Sequence, residues 1–226
     1  VWLANSTWTD VRPEPSALAV PVGSTEQHGP HLPLDTDTTI AAAVAARLPD
    51  SVITPAIAYG ASGEHEGFAG TISIGQAALE LLLVEYGRSA CGWASRVVFV
   101  NGHGGNAHSL ANAVLQLRFE GRDVAWLPCA VAGSDAHAGR TETSLMLHLA
   151  PDRVRFDRAE PGNTEPIETL LPQLRTAGVA AVSANGVLGD PTAATTTEGA
   201  DLFEQLVTHC SDALARWQPD SRGMLR

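Results

Sequence analysis

The 226-residue chain carries 14 Lys and Arg against 25 Asp and Glu, a formal net charge of −11. That balance argues against nucleic acid or an anionic membrane surface as partner, since both need a basic face. With 44% hydrophobic and 17% charged residues the chain can bury a sizeable core, and its length fits one domain over 1–226 better than two.

No apolar run reaches the ~18 residues that a membrane span needs, and no signal peptide opens the chain. Cys91, Cys129 and Cys210 are odd in number and widely spaced, which suits a reducing compartment and thiols packed as small apolar groups. The expectation is a cytoplasmic protein.

In chain order, Leu18 to Val22 reads as a buried strand that runs into a Gly- and His-rich loop. Thr36 is placed to cap a helix with Ile40, Ala41, Val44 and Leu48 on one face. A short strand fits Val52 and Ile53, followed by a long loop from Pro55 to Gly70 and a helix whose apolar face holds Leu79, Leu82, Leu83 and Tyr86. Arg96 to Val100 is the clearest strand; it ends in Asn101-Gly102-His103-Gly104-Gly105-Asn106, and a helix with Leu110, Val114 and Leu117 follows. Asp123 to Leu127 reads as another strand, then come a Gly/His loop and a helix around Leu145. A last helix, about Thr197 to Trp217, aligns Leu202, Leu206, Cys210 and Leu214. Pro161 to Pro172 gives no clear pattern. Alternating strands and helices predict an α/β fold, a three-layer αβα domain with a mostly parallel central sheet and its functional loops at the carboxyl ends of the strands.

Six of the eight histidines, His28, His31, His65, His103, His108 and His137, lie in or beside those loops. If Glu26 to His28 is extended, Glu26 and His28 share a side, and the glycine and proline that follow can return Asp37 toward them. Two carboxylates and an imidazole are ligands for Zn²⁺, Mn²⁺ or Fe²⁺, although the same groups could close the sheet edge by hydrogen bonding alone. The glycines around His103 could cradle an anion or allow a close approach to a metal cluster. His137 and Glu142 offer one more imidazole and carboxylate near a helix start.

Val22 to Leu34, Ser62-Gly63-Glu64-His65 with Phe68 to Ser73, Asn101 to Asn106, and His137-Ala138-Gly139 with Glu142-Thr143-Ser144 together resemble the creatininase family of amidohydrolases, in one order along nearly the whole chain. The resemblance implies a creatininase-like fold and two divalent ions per chain, one held by Glu26, Asp37 and His103 and the other by His28 and Asp37. Creatininase completes the second set with a glutamate where this chain has Gly105, and Glu142 is the candidate replacement. His137 would move the proton to the leaving amine. His65 and Phe68 would contact substrate, while His31 is read as structural. Ala58 to His65, Gly178 to Ser183 and Gly186 to Pro191 look like a peptidase branch of the family, which implies a modified peptide substrate cut before a C-terminal cross-linked Val-Tyr unit. Other family reactions on creatinine or a formamide stay open, as do a non-catalytic anion-binding module and a structural metal site. The family also implies a homo-oligomer, a hexamer or octamer.

Overall fold

The computed structural model describes residues 1–11 and 17–226. Four strands, β1 (Ala17–Val22), β2 (Ser51–Ile53), β3 (Val97–Asn101) and β4 (Val124–Pro128), form a parallel sheet in the order β2-β1-β3-β4. Six α-helices accompany them: α1 (Thr36–Arg47), α2 (Gly75–Ala90), α3 (Ala107–Phe119), α4 (Arg140–Leu149), α5 (Ile167–Ala177) and α6 (Thr196–Arg216).

Both sheet faces are apolar, as a sheet covered on each side requires. Ala19, Val98, Val100, Ala125 and Leu127 pack with Ile40 and Val44 of α1, Leu145 and Met146 of α4, and Phe203 and Leu206 of α6. The alternate residues Leu18, Val20, Phe99 and Trp126 pack with Leu79 and Leu83 of α2 and Leu110, Val114 and Leu117 of α3. Phe99 is fully buried at the centre, so Phe99→Ala should cost about 3–5 kcal/mol. The expected three-layer α/β arrangement is the one observed.

Both sheet edges are covered, which removes free strand edges. Ile53 N donates to Val1 O (2.8 Å) beside β2, while Gly223 to Leu225 runs along β4, with Leu225 N donating to Trp126 O (2.9 Å).

Several local expectations change. Thr36 lies inside α1 rather than capping it; its hydroxyl donates to Pro33 O (2.7 Å), and Asp35 holds the cap position without a side-chain bond. Leu82 is 38% exposed beside Leu81, so the buried stripe of α2 is Leu79, Leu83 and Val84. Thr195 caps α6 by accepting from Glu198 N. Cys129 and Cys210, far apart in sequence, pack in the same core cluster, with Cys210 Sγ 3.9 Å from Pro128 O. The stretch without a clear pattern contains the start of α5, an amphipathic helix with Pro172 inside it.

Candidate metal centre

In this strand order the connections leaving β1 and β3 run in opposite directions, toward β2 and β4. A crevice opens at such a switch point, outside the carboxyl ends of the strands. Val22 lies level with Asn101 across the pair, so the loop after β1 and the loop after β3 begin side by side. They are tied by Gly102 N to Val22 O and by Asn106 Nδ2 to Gly23 O, both 2.9 Å.

The first loop supplies Glu26 and His28 and feeds α1, whose first turn carries Asp37. A carboxylate there gains from the positive end of the helix. A Cβ at Gly102 would stand 2.3 Å from Asp37 O, so only glycine lets the second loop pass this turn. The third segment delivers His137, and Glu142 from the first turn of α4 folds back to accept from Ala138 N (2.6 Å).

These side chains meet in one buried cluster. Asp37 Oδ1 is 3.0 Å from His28 Nε2, and Asp37 Oδ2 is 3.2 Å from His103 Nδ1 and accepts from Ser24 Oγ at 2.7 Å. Glu26 Oε1 is 3.2 Å from His103 Nδ1 and 3.3 Å from His65 Nε2. Glu142 Oε2 lies 3.9 Å from His28 Nε2. Potential ligand atoms of Glu26, His28 and Asp37 all fall within 4.8 Å of one another, as do those of His28, His137 and Glu142, and those of Glu26, His65 and His137. Asp37 faces His28 with one carboxylate oxygen and His103 with the other, so a single carboxylate spans the two imidazoles.

One detail tests the fit. Both Glu26 carboxylate oxygens are buried yet make no hydrogen bond, although imidazole nitrogens surround them. An unsatisfied buried carboxylate is expensive, and a divalent cation at the point where these groups converge would satisfy it. Carboxylate and imidazole donors without thiolate suit Zn²⁺, Mn²⁺ or Fe²⁺. The same acidic lining disfavours an anion, which weakens the anion-binding alternative.

Electrostatics in the cluster divide the histidines. Burial opposes charge on His28, but the Asp37 carboxylate outweighs it and raises the imidazole to about 10. His103 is likewise raised, against burial, by Glu26 and Asp37. Burial also opposes ionisation of Glu26, but His103 brings it to about 2. Asp37 is held well below the carboxylate range despite burial, chiefly by His28. His65 falls to about 4 through burial, and burial together with the charge on His28 holds His137 well below the usual imidazole value. Burial raises Glu142 to about 7.

Gln27, between the two first-loop ligands, orders the neutral pair. Its amide nitrogen reaches Gly186 O at 3.0 Å and His65 Nδ1 at 2.9 Å, so His65 Nδ1 accepts and its Nε2–H faces Glu26. His137 Nε2 lies 2.8 Å from Gln27 O, which only accepts, and 3.1 Å from the Gln27 amide nitrogen, whose two hydrogens go to Gly186 O and His65 Nδ1. The proton therefore sits on Nε2, and His137 Nδ1 presents its lone pair to the cluster, 3.9 Å from Glu26 Oε1.

The structure thus brings together Glu26, His28, Asp37, His103, Glu142 and His137. His65 joins this cluster, 4% exposed, at its inner edge. Phe68 is partly buried against Leu170, Val179 and Leu188, an apolar cluster of which Val179 and Leu188 line the cleft over the site. His31 donates to or accepts from Thr143 Oγ1 (2.8 Å) beneath the site. Gln27 and Glu64 are site residues that motif spacing did not single out. Gln27 lies within the Glu-Gln-His triplet but carries no ligand chemistry, and the place of Glu64 depends on a contact across 39 residues, with His103.

Over the cluster opens a cleft of about 840 Å³, floored by Asp37, His103, His137 and Glu142 and walled by Leu171 and Leu174 of α5. An α/β sheet with a buried carboxylate–imidazole centre at its switch point and an open cleft above it defines a metal-dependent hydrolase class.

Within that class the chain belongs to the creatininase family, whose model (creatinine amidohydrolase) matches residues 4–214. It is 59% identical to the mycofactocin precursor peptide peptidase of Mycolicibacterium smegmatis, covering 99% of this chain and 94% of that one. It is 56% identical to the protein of the same name from Mycobacterium tuberculosis, again over 99% and 94%. A crystal structure of creatinine amidohydrolase superposes with a TM-score of 0.81 at 26% identity, covering 97% of this chain and 98% of that one. A creatininase described as the Mn form gives a TM-score of 0.79 at 27% identity, covering 97% and 99%.

Proposed function

We propose that this chain is a divalent-metal-dependent peptidase that cleaves the modified mycofactocin precursor peptide before its C-terminal cross-linked Val-Tyr unit. The observation that carries the reading is the 59% identity, end to end, to a peptidase of that name. The cleft of about 840 Å³ over the cluster has room for a peptide segment.

In this proposal Glu26, Asp37 and His103 hold one ion, and His28, Asp37 and Glu142 hold the other, as Zn²⁺, Mn²⁺ or Fe²⁺. Ions held there would lower the pKa of water and polarise the scissile carbonyl. His137, with its Nδ1 lone pair toward the cluster, takes a proton and passes it to the leaving amine, a step worth about 10²–10⁴-fold. His65, which lines the cleft, would contact the peptide substrate. The chain would act as one domain over 1–226. We further propose a homo-oligomer, in which exposed Leu81 on α2 and Phe119 on α3 are apolar surface that assembly would cover. A cytoplasmic location is proposed on the three free thiols; no described helix is long and apolar enough to cross a membrane.

The test is hydrolysis by metal-loaded protein of a peptide ending in the cross-linked Val-Tyr unit, run beside creatinine. Release of the dipeptide unit, abolished by chelation and restored by metal, is expected. Turnover of creatinine alone would remove the peptidase reading and leave the metal centre.

A further inference from the structure

Position 105 lies two residues beyond His103, at the floor of the cleft. A Cβ there would stand 2.3 Å from His103 Nε2, 2.5 Å from Ala61 O and 2.7 Å from Glu64 Oε1. All three distances are shorter than a Cβ tolerates, so this corner is already filled from the other side. What fills it is the loop of residues 61–64, whose Glu64 carboxylate reaches to 3.6 Å from His103 Nε2. Ala61 O (3.2 Å) and Ser62 Oγ (3.5 Å) meet the same ring edge.

A carbonyl and a carboxylate beside one ring nitrogen fix its tautomer, because both only accept. His103 Nε2 therefore carries a proton, and the opposite nitrogen, Nδ1, is the one aimed between Glu26 and Asp37, 3.2 Å from each. A carboxylate behind a ligating imidazole both orients the ring and raises its basicity. The Glu64 side chain is 33% exposed, on the cleft wall rather than in the core, so its placement is not explained by packing.

We propose that Glu64 is the positioning residue for His103, and that Gly105 is glycine because the Glu64–His103 contact occupies the space of any side chain there. The inference rests on the metal-centre reading of the cluster. It also accounts for why a carboxylate cannot stand at 105 while His103 keeps this orientation.

The experiment is titration of Zn²⁺ and, separately, Co²⁺ into metal-stripped full-length protein, as wild type, Glu64→Gln and Gly105→Ala. Affinity is read by competition with a chelator and the ligand field by the Co²⁺ visible spectrum. Glu64→Gln should weaken the tighter site about 10–100-fold and alter the Co²⁺ spectrum, while the thermal midpoint of the metal-free protein stays unchanged. Gly105→Ala should weaken the same site by displacing His103 from its partner. Wild-type affinity and spectrum in a folded Glu64→Gln would overturn the proposal while leaving the metal centre intact. A wild type that binds neither ion would overturn both. If affinity falls as expected but the peptide is not cleaved, the positioning role stands and only the substrate assignment fails.

Discussion

The cleft has a floor and a wall of opposite character. The floor, with the buried cluster beneath it, is built from three segments anchored at strand ends and at helix first turns, and Glu26, His28, Asp37 and His103 there are at most 5% exposed. The wall is α5 with the segment after it, where Leu171 and Leu174 are half-buried and Arg175 is exposed. Buried polar groups that must satisfy one another leave little freedom, so the floor fixes the chemistry. A half-exposed apolar helix can be altered cheaply, so the wall is where substrate choice would be set. The difference teaches that activity and selectivity should respond to separate substitutions.

The sharpest way to break that division is Asp37→Ala. Asp37 touches both histidines and would bridge both ions, so its loss should remove bound metal and lower hydrolysis by more than about 10³-fold, the several kcal/mol that metal catalysis supplies. Metal analysis together with a turnover assay decides it. Undiminished metal content in the variant would show that Asp37 is not a ligand.

His137→Ala should cost less and leave the metal in place. A drop of about 10²–10⁴-fold in kcat with KM little changed is expected for a proton-transfer group. If His137→Ala instead sheds metal, the imidazole is a ligand, a role that its place within 4.8 Å of His28 and Glu142 would allow.

The floor was legible in sequence and the wall was not, for physical reasons. Glu26, His28 and His103 sit in loops that begin where apolar strand patterns stop, Asp37 opens the helix that the first loop feeds, and local spacing places all four near one sheet edge. Gln27 and Glu64 could not be read this way, because their partners, His65, Gly186 and His103, are brought to them only by the folded chain. Helix α5 does carry the right period, with Ile167, Leu170, Leu171 and Leu174, yet Pro161, Pro166 and Pro172 mask it. Pro166 precedes the first turn and Pro172 falls mid-helix, where it removes a backbone donor. Only Leu170 is buried there, and packing with Val179 and Leu188 holds the helix in spite of its proline.

The floor also predicts a pH signature. Without metal, burial disfavours charge on His28 and His103, but the adjacent carboxylates outweigh it, taking His28 to about 10 and His103 well above its usual range. Both therefore hold a proton at pH 7 that an incoming ion must displace. Raising the pH removes this competition, so the affinity for each ion should rise about 10-fold per pH unit near neutrality, one histidine proton being released at each site. Calorimetry in buffers of different ionisation enthalpy counts the protons directly. A count of zero would mean that the metal-free cluster is already deprotonated.

The smallest effect belongs to the wall and sharpens the comparison most. Leu174→Asp places a charge on the half-buried face of α5 that lines the cleft, without touching the metal cluster. Losing the burial of one leucine against substrate is worth about 1.5–3 kcal/mol, so KM for the peptide should rise about 10-fold or more while metal content holds and kcat changes little. A small amide that reaches the floor without touching α5 should be hydrolysed as before. If KM for the peptide is unmoved, α5 is scaffold, and selectivity must lie in the segment of residues 63–67 that also lines the cleft.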